Sequence, residues 1–416
     1  MTFAKGYGSA SLEHGVPITP ESVFYAGSVS KQFTAMAAAL AMQQGKLGYE
    51  DSIRKYLPEL PAYADAIKVR HLLHHTSGLR DYNTLLSIAG RRDEEAWDNR
   101  VVLQMTARQR GLNFEPGAEY LYSNTGYTLL ATIVERATGT KFAEYADHQI
   151  FKPLGMTVTH FHTDARRLVK NRALGYGGGG DGAWTLDTPV NERAGAGGLY
   201  TNIADLQKWD ENFYSGTVGG KDVIDRLLTR GVLNNGRPLA YAWGLQVGRY
   251  GNEEIVEHSG SLGGYRAHIF RVPSRHTSVA LLCNTSTANT TTLVRDVAGV
   301  VLGNTFTEVT SAGGRTDPGA RGAPQPTARP ESVLKTYAGS YYSAEVDAVF
   351  TISISGGRLE LMRETDAAPA PLESLGETFR ARGLTLTFEK DSSGHVDRFV
   401  VDAGRVRGIV FERRSR

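Results

Sequence analysis

The chain has 416 residues, 41% of them hydrophobic, and its 46 basic and 44 acidic side chains leave a formal charge of +2. This length is enough for two or three domains, and the near-balance of charge gives no support for a nucleic-acid partner, which usually requires a clustered basic face. Cys283 is the one cysteine, which excludes an internal disulfide. No apolar run approaches the roughly 20 residues that span a bilayer, so no membrane span is predicted.

The first residues, 1–6, lack the charged and apolar regions of a signal peptide. As written, the sequence therefore predicts a cytoplasmic protein. That prediction changes to a periplasmic or secreted protein if the native N-terminus is longer. The sequence gives no indication of the oligomeric state.

Three helices are predicted in the first three hundred residues. Apolar residues recur at helical spacing over residues 30–44 and again over residues 124–138, and a glycine follows each segment where a C-terminal cap belongs. A third helix is predicted to start at Thr201 or Asn202, with Asp205 in its first turn near the positive end of the helix dipole.

The later part of the chain changes from helical to strand-like patterns. The apolar run 278–283 predicts a buried strand in which Cys283 is a small packed side chain. Residues 304–332 are rich in glycine and proline and predict a linker. Within residues 333–416 apolar and polar side chains alternate, as over 350–355 before a Gly-Gly turn. This last segment is predicted to be a small all-β barrel or sandwich.

A candidate nucleophile lies just before the first predicted helix, where residues 28–31 read Ser-Val-Ser-Lys. A serine and a lysine three residues apart share one face of a helix, and a desolvated lysine amine can accept the serine proton. The same pattern at 52–55 and 332–335 is interpreted as chance, because charged or breaker-rich neighbours surround it and no buried helix follows. Ser28 is followed by an apolar helix and preceded by Gly27, which lets the backbone approach closely. The alternative is that Ser28 simply caps the helix.

Two further segments carry candidate groups for the same site. Tyr122 and Asn124 lie on the turn before the second helix, where a phenol can shuttle a proton and an amide can bind substrate. A tyrosine titrates near pH 10, so this role requires a nearby cation such as Lys31 to stabilise the phenolate. The alternative is a packed aromatic residue followed by a helix cap.

Residues 257–265 form a polar segment of small residues between two apolar runs. Small residues such as Gly260 on an edge strand let a substrate backbone lie close, and the N–H of Ser261 can join that of Ser28 as an oxyanion hole. His258, in the same segment, is by itself more typical of an ordinary surface or core histidine.

No metal or organic cofactor is predicted. His71 and His75 are four residues apart, but no H-E-x-x-H pattern and no third ligand accompany them. The glycine run 177–180 lacks the preceding strand and the Lys-Ser/Thr pair of a phosphate loop, and it is interpreted as a flexible surface loop.

The three motifs, in this order, resemble those of the serine β-lactamase-like family. Residues 28–31 are similar to its S-x-x-K motif, residues 122–124 to its Y-x-N motif and residues 258–260 to its K-T-G or H-x-G motif. The family includes class C β-lactamases, D-alanyl-D-alanine carboxypeptidases, D-aminopeptidases and related esterases. The resemblance covers roughly residues 6–300, and residues 333–416 resemble the lipocalin-like barrels appended to some members.

The resemblance implies an α/β (α+β) fold with an antiparallel sheet flanked by helices and an all-helical subdomain. It implies a hydrolase domain over residues 1–303, the linker over 304–332 and the barrel over 333–416. Residues 3–8 look like the middle of the family's N-terminal sheet region. This predicts either a longer native N-terminus or an exposed sheet edge.

The implied activity is hydrolysis of an ester or amide in a small-molecule or peptide substrate. Ser28 attacks the carbonyl, Lys31 and Tyr122 move the proton, and the backbone of Ser28 and Ser261 holds the oxyanion. The further substrate contacts that the resemblance implies are Asn124, His258, Gly260 and Ser261. His258 stands where β-lactamases carry a lysine, which favours the esterase and aminopeptidase branches over a β-lactamase.

Both the substrate class and the completion of the catalytic cycle stay open. The substrate is an ester, a D-amino-acid peptide or, for a weak β-lactamase, a lactam. A non-turnover, penicillin-binding-like sensor, with the barrel as its ligand module, would acylate without completing the cycle.

Overall fold

The computed structural model describes residues 2–91, 97–178, 182–190, 192–303 and 329–414. Most of the predicted linker, residues 304–328, lies outside these ranges, as do Gly179 and Gly180 of the predicted glycine loop.

The α-helices of the described ranges are, in chain order, α1 Ser30–Gln43, α2 Val69–Leu73, α3 Tyr82–Ile88, α4 Asn99–Ala107, α5 Asn124–Thr138, α6 Phe142–Ala146, α7 Ile203–Ser215, α8 Gly220–Leu228, α9 Thr290–Leu302 and α10 Glu331–Tyr337. The three predicted helices are α1, α5 and α7, and Gly139 ends α5 in the left-handed conformation as expected. None of the helices in the described ranges has the length and apolarity needed to cross a bilayer.

Helix α1 is the centre of the main core. Every residue from Ser30 to Ala41 is buried, and the helix packs against α5 and α8. Alanine is the strongest helix former and leaves room for neighbouring helices to approach closely. The alanine-rich sequence of α1 therefore places its first turn deep inside the protein.

The strands of the first three hundred residues are β1 Ser9–Ser11, β2 Val16–Pro17, β3 Phe24–Tyr25, β4 His160–Phe161, β5 Tyr176–Gly178, β6 Trp184–Leu186, β7 Leu199–Thr201, β8 Gln246–Tyr250, β9 Glu253–Leu262, β10 Tyr265–Val272 and β11 Thr277–Cys283. The last four form an antiparallel sheet in the order β11-β10-β9-β8. One face packs against α9 through Phe270 and Val272, and the other joins the core around α1 through Val256 and Ile269. The predicted fold, an antiparallel sheet flanked by helices, is confirmed.

The predicted buried strand exists as β11, but the prediction of its burial was wrong. β11 is the edge of its sheet among the described strands, and Val279 is its one buried residue. Cys283 is only half-buried, and this partial burial raises the pKa of its thiol. An apolar run does not show whether a strand lies inside a sheet or at its edge.

The C-terminal region contains β12 Gly339–Ser343, β13 Ala348–Ser355, β14 Arg358–Arg363, β15 Ala370–Pro371, β16 Glu373–Leu375, β17 Thr378–Ala381, β18 Leu384–Lys390, β19 Val396–Ala403 and β20 Val406–Arg413. They form one antiparallel sheet whose end strands, β15 and β16, are separated in the chain by Leu372 alone. The sheet therefore nearly closes into a barrel, as predicted. Its interior is filled by fully buried aromatic rings: Tyr341, Phe350, Phe399 and Phe411.

The start of this region differs from the all-β prediction. Helix α10 covers residues 331–337 and packs Leu334 and Tyr337 against the barrel. The Ser-x-x-Lys pattern at 332–335 lies on this helix with both Ser332 and Lys335 exposed, so the two side chains are solvated rather than brought into a site.

The barrel packs against the helical part of the first region. Side chains of α3 and α4 belong to the same buried cluster as the barrel interior. A buried ion pair crosses the contact, with Arg80 Nη1 2.5 Å from Glu345 Oε2. This contact places the β19–β20 turn beside the site described next.

Candidate active site

Ser28 lies on a single 3₁₀ turn, Gly27–Val29, that leads directly into α1. Gly27 has a φ of 55°, and a Cβ there would lie 2.5 Å from the backbone N of Ser261, so the position requires glycine. Val29, not Ser28, is the N-cap of α1, and it makes no side-chain capping bond. The reading of Ser28 as a helix cap is therefore wrong.

Lys31 is fully buried one turn into α1 with its amine beside the serine hydroxyl. Lys31 Nζ lies 3.1 Å from Ser28 Oγ and donates to Asn124 Oδ1 and to the carbonyl oxygen of Ala196, each at 2.8 Å. Burial lowers the pKa of Lys31 well below its usual value, because desolvation disfavours the charged ammonium. In its neutral form, an amine that donates two N–H bonds to carbonyl oxygens keeps its lone pair for the remaining neighbour, the Ser28 hydroxyl.

Tyr122 covers this pair from the loop before α5. Lys31 Nζ lies 4.7 Å from the centre of the Tyr122 ring. The centres of the Tyr122 and His75 rings are 4.2 Å apart. Burial raises the pKa of Tyr122 strongly, although a side-chain hydrogen bond with Ser28 lowers it in part. Burial therefore favours the neutral phenol of Tyr122 over the phenolate that its proposed role required. For Lys31 burial favours the neutral amine, in line with the desolvated lysine considered from the sequence.

The N-terminus of α5 holds Asn124 in place. Ser123 caps the helix, and the backbone N–H of Asn124 donates to Asp81 Oδ2 at 2.6 Å. Asp81 is fully buried and also forms an ion pair with Arg405, at 3.4 Å between Oδ2 and Nη1. Sequence reasoning missed both Asp81 and Arg405, because no local pattern connects either residue with the three motifs.

The third motif runs along β9 beyond the end of β8. Strand β8 pairs only with residues 253–257 of β9, so residues 258–262 form an edge on that side and face the turn of Ser28. A Cβ on Gly260 would lie 2.0 Å from the carbonyl oxygen of Ala26 and 3.0 Å from the backbone N of Ser28. The predicted segment of small residues thus lets β9 lie directly against the Ser28 turn.

We expect Gly260→Ala to lower kcat/KM roughly 10²-fold, because the added methyl pushes β9 away from the Ser28 backbone and small displacements of this kind are costly. Gly248→Ala, on neighbouring β8, is the matched control, since a Cβ at Gly248 has nothing within 4 Å. Steady-state hydrolysis of a chromogenic ester measures both. Equal activity of the two variants would contradict this prediction.

His258 is buried and both of its ring nitrogens have partners within the protein. Nε2 lies 2.9 Å from the Tyr241 hydroxyl, and Nδ1 lies 2.6 Å from the carbonyl oxygen of Ser259. Burial lowers the pKa of His258 to about 3, because desolvation disfavours the charged imidazolium. His258 is therefore an uncharged side chain in the lining of the site, and it does not supply the positive charge that a lysine would carry at this position.

These residues meet at one cavity of about 380 Å³. The predicted site residues that line it are Ser28, Tyr122, Asn124, His258 and Ser261. Lys31 and Gly260 stand directly behind that lining. Two guanidinium groups that sequence reasoning missed, those of Arg193 and Arg405, also line the cavity. The structure thus brings all seven predicted residues to one place.

The two histidines weighed as metal ligands are used elsewhere. His71 Nδ1 accepts from the backbone N–H of Lys68, and His75 Nδ1 accepts from that of Ser123. In the part of the chain that the structure describes, no group of three or more His, Cys, Asp or Glu residues is placed to hold a metal ion.

Known proteins similar to this chain agree with the resemblance of the motifs. Penicillin-binding protein 4* of Bacillus subtilis (strain 168) is 31% identical over 301 residues, which are 68% of this chain and 65% of that protein. A D-aminopeptidase of Gluconobacter oxydans (strain 621H) is 30% identical over 280 residues, 67% of this chain and 52% of that protein. The chain thus spans between half and two thirds of the length of these relatives.

Solved structures show the same fold at lower identity. An octameric penicillin-binding protein homologue from Pyrococcus abyssi superposes with a TM-score of 0.65 at 23% identity, covering 99% of this chain and 93% of that one. A D-amino acid amidase from Ochrobactrum anthropi SV3 has a TM-score of 0.56 at 24% identity, covering 67% of this chain and 81% of that one. The sequence model of the Beta-lactamase family matches residues 1–302. The chain belongs to the beta-lactamase family.

Proposed function

We propose that this protein is a serine hydrolase that cleaves an ester or amide through an acyl-enzyme on Ser28. The observation that carries the proposal is the environment of Lys31: a fully buried amine, 3.1 Å from Ser28 Oγ, with two carbonyl oxygens as its other partners. Burial lowers the pKa of this amine, which favours the neutral form that can accept the serine proton as the hydroxyl attacks.

In the first step the Ser28 Oγ–carbonyl bond forms while the hydroxyl proton passes to Lys31 Nζ. The backbone N–H groups of Ser28 and Ser261, which flank the close contact between Gly27 and β9, stabilise the resulting oxyanion. The tetrahedral intermediate then collapses: the bond between the carbonyl carbon and the leaving group breaks as Tyr122 donates its phenolic proton to that group, and Tyr122 recovers a proton from Lys31. In the second step a water attacks the acyl group, its proton enters the same pair, and Ser28 leaves with a proton restored.

Asn124 and His258 define the substrate side of the cavity. Asn124 Oδ1 already accepts from Lys31, so its Nδ2 is the group that donates to a substrate carbonyl. The neutral His258 offers no charge to a lactam carboxylate. The missing lysine charge at this one position and the names of the D-aminopeptidase and amidase relatives favour esters and D-amino-acid amides or peptides over β-lactams, although the guanidinium groups of Arg193 and Arg405 line the same cavity.

The division into residues 1–303, 304–332 and 333–416 is also a proposal. The separate aromatic interior of the barrel supports it. The same filled interior speaks against a barrel that carries its own ligand, as the sensor alternative requires. We propose that the barrel instead shapes the active site.

The experiment is a substrate panel followed by mass analysis of the quenched enzyme. The panel contains p-nitrophenyl esters, D-amino-acid anilides and a cephalosporin. We expect continuing turnover of an ester or D-amino-acid substrate and an acyl adduct on the peptide that contains Ser28. One equivalent of product with a stable adduct would support the sensor alternative, and an adduct elsewhere or no reaction would contradict the proposal.

A further inference from the structure

Arg405 reaches the active site from the opposite end of the chain. It lies on the turn between β19 and β20, and its side chain lines the same cavity as Ser28. Its Nη1 is 3.4 Å from both Asp81 Oδ2 and the carbonyl oxygen of Tyr122, and its guanidinium carbon is 5.4 Å from the centre of the Tyr122 ring. The barrel therefore contributes a permanent positive charge at the rear of the site.

Asp81 is the partner of that charge. Its carboxylate is fully buried, and within the described ranges its one ion pair is with Arg405. The carboxylate oxygens also accept from the backbone N–H groups of Asn124 at 2.6 Å and Thr84 at 3.4 Å. Asn124 in turn accepts from Lys31. Asn124 thus connects the Asp81 carboxylate with the Lys31 amine that we propose as the base.

The charges around Lys31 act in opposite directions. The Asp81 carboxylate raises the pKa of Lys31 and the Arg405 guanidinium lowers it, on top of the larger lowering by burial. The other titratable groups that face Lys31 are buried, and burial favours their neutral forms: Tyr122, Tyr127, His75 and His258. Arg193 is a further cation on the cavity wall. Asp81 and Arg405 are therefore the two opposite charges that meet across the contact with the barrel, and their opposing effects on the pKa of Lys31 depend on that contact.

We propose, on the basis of the proposed function, that Arg405 is a positioning residue: it balances the buried carboxylate of Asp81, so that Lys31 stays an uncharged amine and can accept the proton of Ser28. The active site is then complete only when the barrel is docked. This role requires the positive charge of Arg405 and not a contact with substrate.

The sign of the effect follows from which form of Lys31 is active. Only the neutral amine accepts a proton, so the rate falls as pH drops through the pKa of Lys31. Removing the Arg405 charge leaves the negative charge of Asp81 without a compensating cation, and this raises the pKa of Lys31. The acid limb of kcat/KM should therefore move to higher pH, by about one unit for a change in one nearby charge.

The test measures kcat/KM of the full chain for an uncharged chromogenic ester across about pH 5 to 10. We expect the acid limb to move upward by about one pH unit in Arg405→Gln and to stay near wild type in Arg405→Lys. Arg405→Gln combined with Asp81→Asn should return the limb, because the uncompensated carboxylate is gone. Should Arg405→Gln fail to fold, Arg405→Met replaces it, since it keeps the apolar stem of the side chain.

Arg407→Gln is the matched control, because Arg407 lies on the same hairpin and pairs across the same contact with Glu119, but does not line the cavity. We expect its pH profile to match wild type. An unmoved limb in Arg405→Gln, a fall in rate without a shift, or an equal shift in Arg407→Gln would overturn the inference. Ester turnover that survives Ser28→Ala would instead refute the proposed function itself.

Discussion

Ser28→Ala is expected to lower kcat/KM for a chromogenic ester by roughly 10⁴-fold or more, with the fold unchanged. The substitution removes the atom that forms the acyl bond and leaves Lys31 with no proton to accept. It should cost little stability, because the Ser28 side chain makes no capping bond to α1. The loss therefore reports chemistry and not unfolding.

The chain offers a matched control for this variant. Ser332 begins the same Ser-x-x-Lys pattern, but it lies exposed on α10. Ser332→Ala should keep wild-type turnover, and both variants should unfold at the same denaturant concentration. Single-turnover kinetics and intact mass measure the result, with the adduct lost only in Ser28→Ala. Wild-type turnover by Ser28→Ala would remove the basis of the proposed mechanism.

Local spacing was enough to predict one contact of the site. A serine and a lysine three residues apart at the start of a helix must approach each other, and Ser28 and Lys31 do so. The meeting of this pair with residues 122–124 and 258–260 depends on the packing of α1, α5 and β9. No pattern within these segments encodes that packing, and the expectation came from the resemblance to a known family.

The electrostatic half of the site could not be read from the sequence. Whether Lys31 and Tyr122 are charged depends on burial and on Asp81 and Arg405, which neither motif spacing nor composition reveals. Arg405 in particular sits in an ordinary turn of an amphipathic hairpin, where an arginine is typical of a solvated face. Only the docking of the barrel brings it to the cavity.

Helix α10 shows the opposite case, in which a signal was present and was missed. Pro330 is the N-cap residue just before the helix, and proline is common at helix starts. The run of glycine and proline before it extended the predicted linker to residue 332. The composition of a long segment thus outweighed a local start signal.

Glu345→Ala is expected to lower the free energy of unfolding by about 3 to 5 kcal/mol, because it leaves the cation of Arg80 buried without its partner. Both side chains are almost fully buried, and Glu345 also accepts from the backbone N–H of Arg110 at 2.7 Å. Arg80 further donates to the carbonyl oxygens of Arg407 and Gly408. The loss should therefore fall on the contact between the barrel and the loop that carries Asp81.

Urea unfolding followed by tryptophan fluorescence measures the change, with Glu412→Ala as the control. Glu412 pairs with Arg110 on the exposed surface at 3.4 Å, so its removal should cost less than about 1 kcal/mol. Equal costs for the two variants would mean that the buried pair contributes no more than a solvated one. A large cost confined to Glu345→Ala, together with a loss of ester turnover before global unfolding, would show that docking of the barrel and the order of the active site depend on the same contact.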